Sequence, residues 1–171
     1  MRKGLLAIVV VLLMPAAANA LTVRLSLDGV NPAPDAIDVM PSEVIDMYVI
    51  SDGAGQGYWQ YLWTGTGLAI ISGVQSYPAA GDLASITDVG ETYPRYRLEA
   101  NDSEGNILAG KHFGFDVTIA WDAPAGAVRY VKLAAGTLPT DSVAVNVVPE
   151  PGTVLLLGLG GLVLLRIRKR K

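Results

Sequence analysis

Leu21-Thr22-Val23-Arg24-Leu25-Ser26-Leu27 alternates apolar and polar side chains without a break. Successive residues of a strand point to opposite faces, so Leu21, Val23, Leu25 and Leu27 share one face. This is the pattern of a half-buried strand. Asp28-Gly29 and Asn31-Pro32-Ala33-Pro34 follow it with turn chemistry. The same period returns in Glu43 to Ile50, with Ile45, Met47 and Val49 on one face and Val44, Asp46, Tyr48 and Ile50 on the other. Tyr58 to Trp63 alternates again, and Leu68–Ser72 is a further short run.

Downstream, a turn at Pro78 to Asp82 leads to Pro94–Ala100 and Asn106–Lys111, which are expected to form a hairpin around Asn101-Asp102-Ser103-Glu104-Gly105. Phe113–Trp121, Ala127–Leu133 and Ser142–Val148 complete about nine short strands separated by Gly, Pro and Asp. No segment sustains a 3.6-residue apolar period, and no internal repeat is visible. The expected fold class is all-β, an immunoglobulin-like antiparallel β-sandwich.

The body at 21–148 carries 6 Lys/Arg against 15 Asp/Glu, a net charge of −9, although the whole chain is at −3. That charge repels phosphate backbones, so nucleic acid is not an expected partner. The chain has no cysteine, which removes disulfides, thiol catalysis and thiolate metal sites. A body of 128 residues is long enough to be held by its core alone.

Both ends read as addressing segments. Arg2 and Lys3 precede an apolar run from Leu5 to Met14, and Ala18-Asn19-Ala20 is a small-x-small site. Residues 1–20 are therefore expected to be a secretory signal peptide cut after Ala20. At the other end stand Pro149-Glu150-Pro151, an uncharged stretch and a basic terminus. Val154, Leu155, Leu156, Leu157, Leu159, Leu162, Val163, Leu164 and Leu165 make the stretch apolar. Arg166, Arg168, Lys169, Arg170 and Lys171 would hold its end on the cytoplasmic side of a membrane. The apolar run is short for a spanning helix, a mismatch that costs little.

These three blocks, in this order, resemble the PEP-CTERM sorting signal of bacterial exosortase substrates. The resemblance covers about residues 148–171. It implies export, transient anchoring in the inner membrane by a C-terminal transmembrane helix, and cleavage by an exosortase near Pro149-Glu150-Pro151. Release, or attachment at the cell surface or in an extracellular matrix, would follow. The expected domains are 1–20, 21–148 and 149–171. A second resemblance lies in the body. Thr22 to Leu27, Met40-Pro41-Ser42-Glu43-Val44 to Ile50, and Gly57-Tyr58-Trp59-Gln60-Tyr61-Leu62 are similar to the opening of cohesin-like sandwiches. It implies that fold and a module that binds or docks a protein partner.

Few residues suggest chemistry. His112 is the only histidine, and no G-x-S-x-G elbow accompanies it. No pair among the carboxylates is singled out by spacing, so an enzyme is not expected. Asn101, Asp102, Ser103, Glu104 and Asn106 are either a hairpin turn or oxygen ligands for Ca²⁺, with Asp28, Asp35 and Asp38 a second such set. No other cofactor is indicated. Trp59, Tyr61 and Trp63 share one face of a strand. Buried, that row is core; exposed, it is a platform on which a carbohydrate-binding sandwich stacks sugar rings. Trp121, at a strand end, is expected to plug the core. The resulting reading is an exported, non-catalytic surface protein, with polysaccharide or another surface protein as the partner.

Overall fold

The computed structural model describes residues 21–64, 69–89, 95–134 and 136–150, together with Gly152, Leu156 and Leu159. The signal-peptide site at Ala18 and Ala20, Pro151 and most of the predicted tail lie outside the described residues.

The described residues form twelve strands: β1 (Val23–Ser26), β2 (Ala36–Val39), β3 (Val44–Ser51), β4 (Gly55–Gln56), β5 (Tyr58–Thr64), β6 (Ala69–Ser76), β7 (Ser85–Asp88), β8 (Arg95–Ala100), β9 (Asn106–Ile107), β10 (Gly110–Ile119), β11 (Val128–Ala134) and β12 (Asp141–Val147). A four-stranded sheet has the order β1-β3-β10-β6, and a six-stranded sheet has the order β2-β12-β11-β5-β8-β7. The inner faces pack together as a β-sandwich. Val23, Leu25, Met47, Val49, Phe113, Phe115 and Val117 come from one sheet, and Leu62, Leu98, Val131, Leu133, Val143 and Val145 from the other.

The expected alternation at the start of the chain holds at its centre, where Val23 and Leu25 are buried and Arg24 is exposed. The Pro-containing segment after β1 does more than end it. Ala33 N–H donates to Leu25 O at 2.8 Å, and Ala144 N–H donates to Asp35 O at 2.8 Å. The chain therefore crosses from one sheet to the other and joins the second as β2. There β2 runs parallel to β12, with Val39 opposite Val147. The sandwich is antiparallel except at this edge, a departure from the expected all-antiparallel arrangement.

The expected hairpin between 94–100 and 106–111 does not form. β8 pairs with β5 and β7, and β9 pairs with β4. The turn between them is real, closed by Asp102 N–H to Asn106 O at 2.7 Å. Its two arms then diverge into different ladders.

His112 sits at a β-bulge. Lys111 opposes Ile50 and Phe113 opposes Val49, which leaves His112 as the extra residue. The bulge breaks the alternation, so His112 and Phe113 are both buried. His112 Nε2 lies 2.8 Å from Leu108 O. A carbonyl can only accept, so Nε2 carries the proton, and Nδ1 accepts from the Tyr58 hydroxyl at 2.9 Å. Tyr58 belongs to the six-stranded sheet and His112 to the four-stranded one, so this bond ties the two layers. Burial pushes the His112 pKa down, opposed in part by the Leu108 carbonyl, and pushes the Tyr58 pKa far up.

A second constraint lies in the β2–β3 turn. Glu43 N–H donates to Met40 O at 3.2 Å, and Ser42 has φ 66°. Pro41 precedes it, so the turn has the type II arrangement in which glycine is favoured at the third position. Ser42 is the only non-glycine residue of positive φ among the described residues.

Three outcomes follow. Ser42→Gly relieves the left-handed strain and stabilises the fold by about 0.5–1 kcal/mol in urea unfolding. For His112 the folded pKa lies below the ordinary 6.5. The unfolded chain then binds more protons, so stability is full above about pH 6.5 and falls as the pH drops below it. Melting measured across pH 7.5 to 4.5 shows this loss. Tyr58→Phe, which leaves Nδ1 without its donor, costs about 1–3 kcal/mol at neutral pH.

Candidate functional site

β5 positions the most distinctive side chains of the molecule. Tyr58, Gln60, Leu62 and Thr64 are buried on its inner face, whereas Trp59, Tyr61 and Trp63 are half-buried on the outer face. The inner position of Gln60 is fixed by its amide, which donates to Leu138 O at 3.2 Å and Pro139 O at 2.9 Å. The aromatic row thus lies on the outside of the six-stranded sheet.

The neighbouring strands bring cations to it. Register sets Arg95 opposite Trp63, Arg97 opposite Tyr61 and Lys132 opposite Trp63. The Arg95 guanidinium lies 3.9 Å from the centre of the Tyr61 ring and that of Arg97 4.8 Å from Trp59. Lys132 Nζ lies 5.4 Å from Trp63 and 5.2 Å from Tyr130. All are within cation–π range. Trp59 and Tyr61 meet edge to face with centroids 5.6 Å apart. Arg97 also pairs with Glu99, whose other oxygen accepts from Ser85 Oγ at 3.2 Å. Tyr130 completes the row and is 46% exposed. Three of the body's six cations therefore gather on one face of an acidic domain.

Trp59, Tyr61 and Trp63 were identifiable from sequence. Tyr130, Arg95, Arg97 and Lys132 were not, although Arg95-x-Arg97 and Tyr130-x-Lys132 carry the right alternation. What joins them to the row is the adjacency of β11, β5 and β8, which spacing along the chain does not encode.

The remaining candidates are committed to structure. His112 has both ring nitrogens engaged inside the core. Asp102 Oδ1 accepts from the backbone of Glu104 at 2.9 Å and Asn106 at 2.7 Å, which commits that carboxylate to closing a tight turn. Asp28 accepts from the backbone and side-chain amides of Asn31 and from Val30 N–H, and these bonds hold its carboxyl well below the usual range. Asp38 bonds Asn146 at 3.2 Å instead of converging with Asp28. No group of three or more metal-ligating side chains occurs among the described residues. Trp121 departs from expectation. It is 79% exposed because β10 ends at Ile119 and the chain turns outward before it can enter the core.

Of the predicted sorting motif, Pro149 and Glu150 are exposed. β12 holds the chain up to its edge, since Val148 N–H donates to Val39 O at 2.8 Å. Glu150 and Gly152 line a cleft of about 420 Å³ with Met40, Pro41, Ser42 and Glu43. Gly152, Leu156 and Leu159 are helical. Among the described residues no helix is long and apolar enough to cross a membrane.

Residues 147–171 match the PEP-CTERM protein-sorting motif. No curated protein matches the chain. Among solved structures it is similar to the sixth cohesin of scaffoldin B from Acetivibrio cellulolyticus, crystallised with a Cel5 dockerin, at 13% identity and TM-score 0.55 over 75% of this chain and 99% of that one. A type III cohesin module from the cell-surface anchoring scaffoldin ScaE of Ruminococcus flavefaciens gives 11% identity and TM-score 0.57 over 75% and 88%. A non-cellulosomal cohesin from Archaeoglobus fulgidus gives 11% and 0.55 over 78% and 95%. The chain thus carries a PEP-CTERM protein-sorting motif behind a body with the cohesin fold, an immunoglobulin-like β-sandwich.

Proposed function

We propose that this is an exported, non-catalytic surface protein, and that its sandwich docks a partner protein through the outer face of the six-stranded sheet. The observation that carries the reading is the row Trp59, Tyr61, Trp63 and Tyr130 interleaved with Arg95, Arg97 and Lys132 on an open face. Trp, Tyr and Arg are the residues that most often dominate protein interfaces. The scaffoldin B cohesin of this fold is seen in complex with a dockerin, which supports a protein partner. The sorting motif supports export and anchoring in the membrane, followed by exosortase cleavage near Pro149, Glu150 and Pro151.

Polysaccharide is the second reading, favoured by the aromatic row itself. Against it, Trp59, Tyr61 and Trp63 each have a cation stacked on the ring, where a sugar would lie.

Intact mass of the protein from the native host tests the sorting. The surface or medium form is expected to begin at Leu21 and end near Pro149–Pro151. A single membrane form retaining Lys171 contradicts cleavage. A photo-crosslinking residue at Tyr130 tests the docking face, with one at Thr118 on the opposite sheet as control. Protein adducts are expected from position 130 alone and should fall at least about tenfold with Arg97→Glu. Adducts equal at both positions, or digestible only by glycosidases, would sink the docking reading.

A further inference from the structure

The sandwich has two unlike ends. β12 runs toward the end where the chain leaves, and register puts the other elements there as well. Val128 lies opposite Asn146, Val44 opposite Thr118, and Thr118 opposite Ile70. The Met40–Glu43 turn is fixed to the same end by Ser42 N–H to Ile119 O at 3.2 Å and Ile119 N–H to Glu43 O at 2.9 Å. So is the segment after β10. Gly126 N–H donates to Val147 O at 2.8 Å, one residue from the exit at Val148.

This end carries Met40, Val44, Ile70, Val89, Trp121 and Val128, between 40% and 79% exposed. The opposite end has Leu83 and Leu108 among the described residues. Trp121 is the most exposed large apolar side chain described, and it is held in a turn. Ala123 N–H donates to Ala120 O at 3.1 Å, and Ala127 N–H donates to Pro124 O at 3.0 Å. Such a residue is costly to present to water and well suited to a lipid headgroup layer, where tryptophan is enriched.

Chain length supplies the occupant. Val148 is still hydrogen-bonded to the sandwich, and the apolar segment begins at Val154. Six residues span at most about 20 Å even when extended. A tail held in a bilayer therefore keeps this end at the bilayer surface.

We infer that, before cleavage, the end of the sandwich around Trp121, Met40 and Val128 rests on the membrane surface. The inference depends on the membrane-anchored reading of the tail. Glu43, Asp122 and Glu150 stand around the same end. They repel anionic lipid, so the contact favours neutral headgroups.

The test uses the full chain, without its signal peptide, in phosphatidylcholine vesicles brominated near the headgroup. Lipid bromine should quench about one third of the tryptophan emission, one residue of three. Trp121→Phe should remove that quenching with an unchanged far-ultraviolet spectrum. Replacing half the lipid by phosphatidylglycerol should weaken it. Resistance to carbonate extraction reports separately on the tail. A tail that resists extraction with no quenching, or with quenching unchanged by Trp121→Phe, overturns the contact. A chain extracted into the supernatant overturns the anchoring, and the contact falls with it.

Discussion

The two-residue period of β5 governs the rest of this molecule. Tyr58, Gln60, Leu62 and Thr64 are all required inside, for the bond to His112, the clamp on Leu138 and Pro139, the core contact and the bond to Ala69 O. A one-residue slip would expose all four and bury the tryptophans. The inner face thus dictates that three aromatic rings stand on the outer one. Large rings half in water are unfavourable alone, and the flanking strands supply cations that cover them.

That cover also explains where the cations are. The body has six Lys and Arg residues. Four of them, Arg95, Arg97, Lys111 and Lys132, stack on aromatic rings. Their stems lie along apolar surface while the charged heads remain near water. On the four-stranded sheet, Lys111 lies between Tyr48 and Tyr77. There, however, Asp116 and Asp46 stand directly opposite each other further along the same pair of strands. The six-stranded face has a single carboxylate, Glu99, within its cation row, and that one is paired. The two outer faces therefore differ in electrostatic character, and only one combines a line of aromatic rings with positive charge.

How much of this was legible follows from what sequence periodicity encodes. Strands β3, β5 and β11 were expected close to their observed bounds, because each alternates over seven or more residues. β2 and β7 were not expected. Each has four residues, and β2 follows a Pro-rich turn that reads as loop. Parallel pairing of β2 with β12 depends on contact across more than a hundred residues, which no local pattern reports. The inward orientation of His112 was hidden by the bulge, since one extra residue reverses the face of its neighbours. Trp121 is exposed against expectation because burial of a residue beyond a strand end depends on where the ladder stops. The aromatic row was legible as a row, but its orientation required knowing which side of β5 meets the other sheet.

The positions of the aromatic face and of the chain exit constrain each other. The face runs along β5, β8 and β11, whereas the exit lies at one end of those strands. With the exit end against a bilayer, the face stands roughly across the membrane plane and opens sideways. A partner could then be met without detaching the body. The hydrogen bond at Val148 leaves no free linker between the folded body and the sorting motif, so the anchored sandwich has little freedom to turn. Cleavage at Pro149–Pro151 would remove that restraint and leave the face intact, because none of its residues depends on the tail for position. On the proposed reading, anchoring and recognition are separable, one at the end of the strands and the other along their sides.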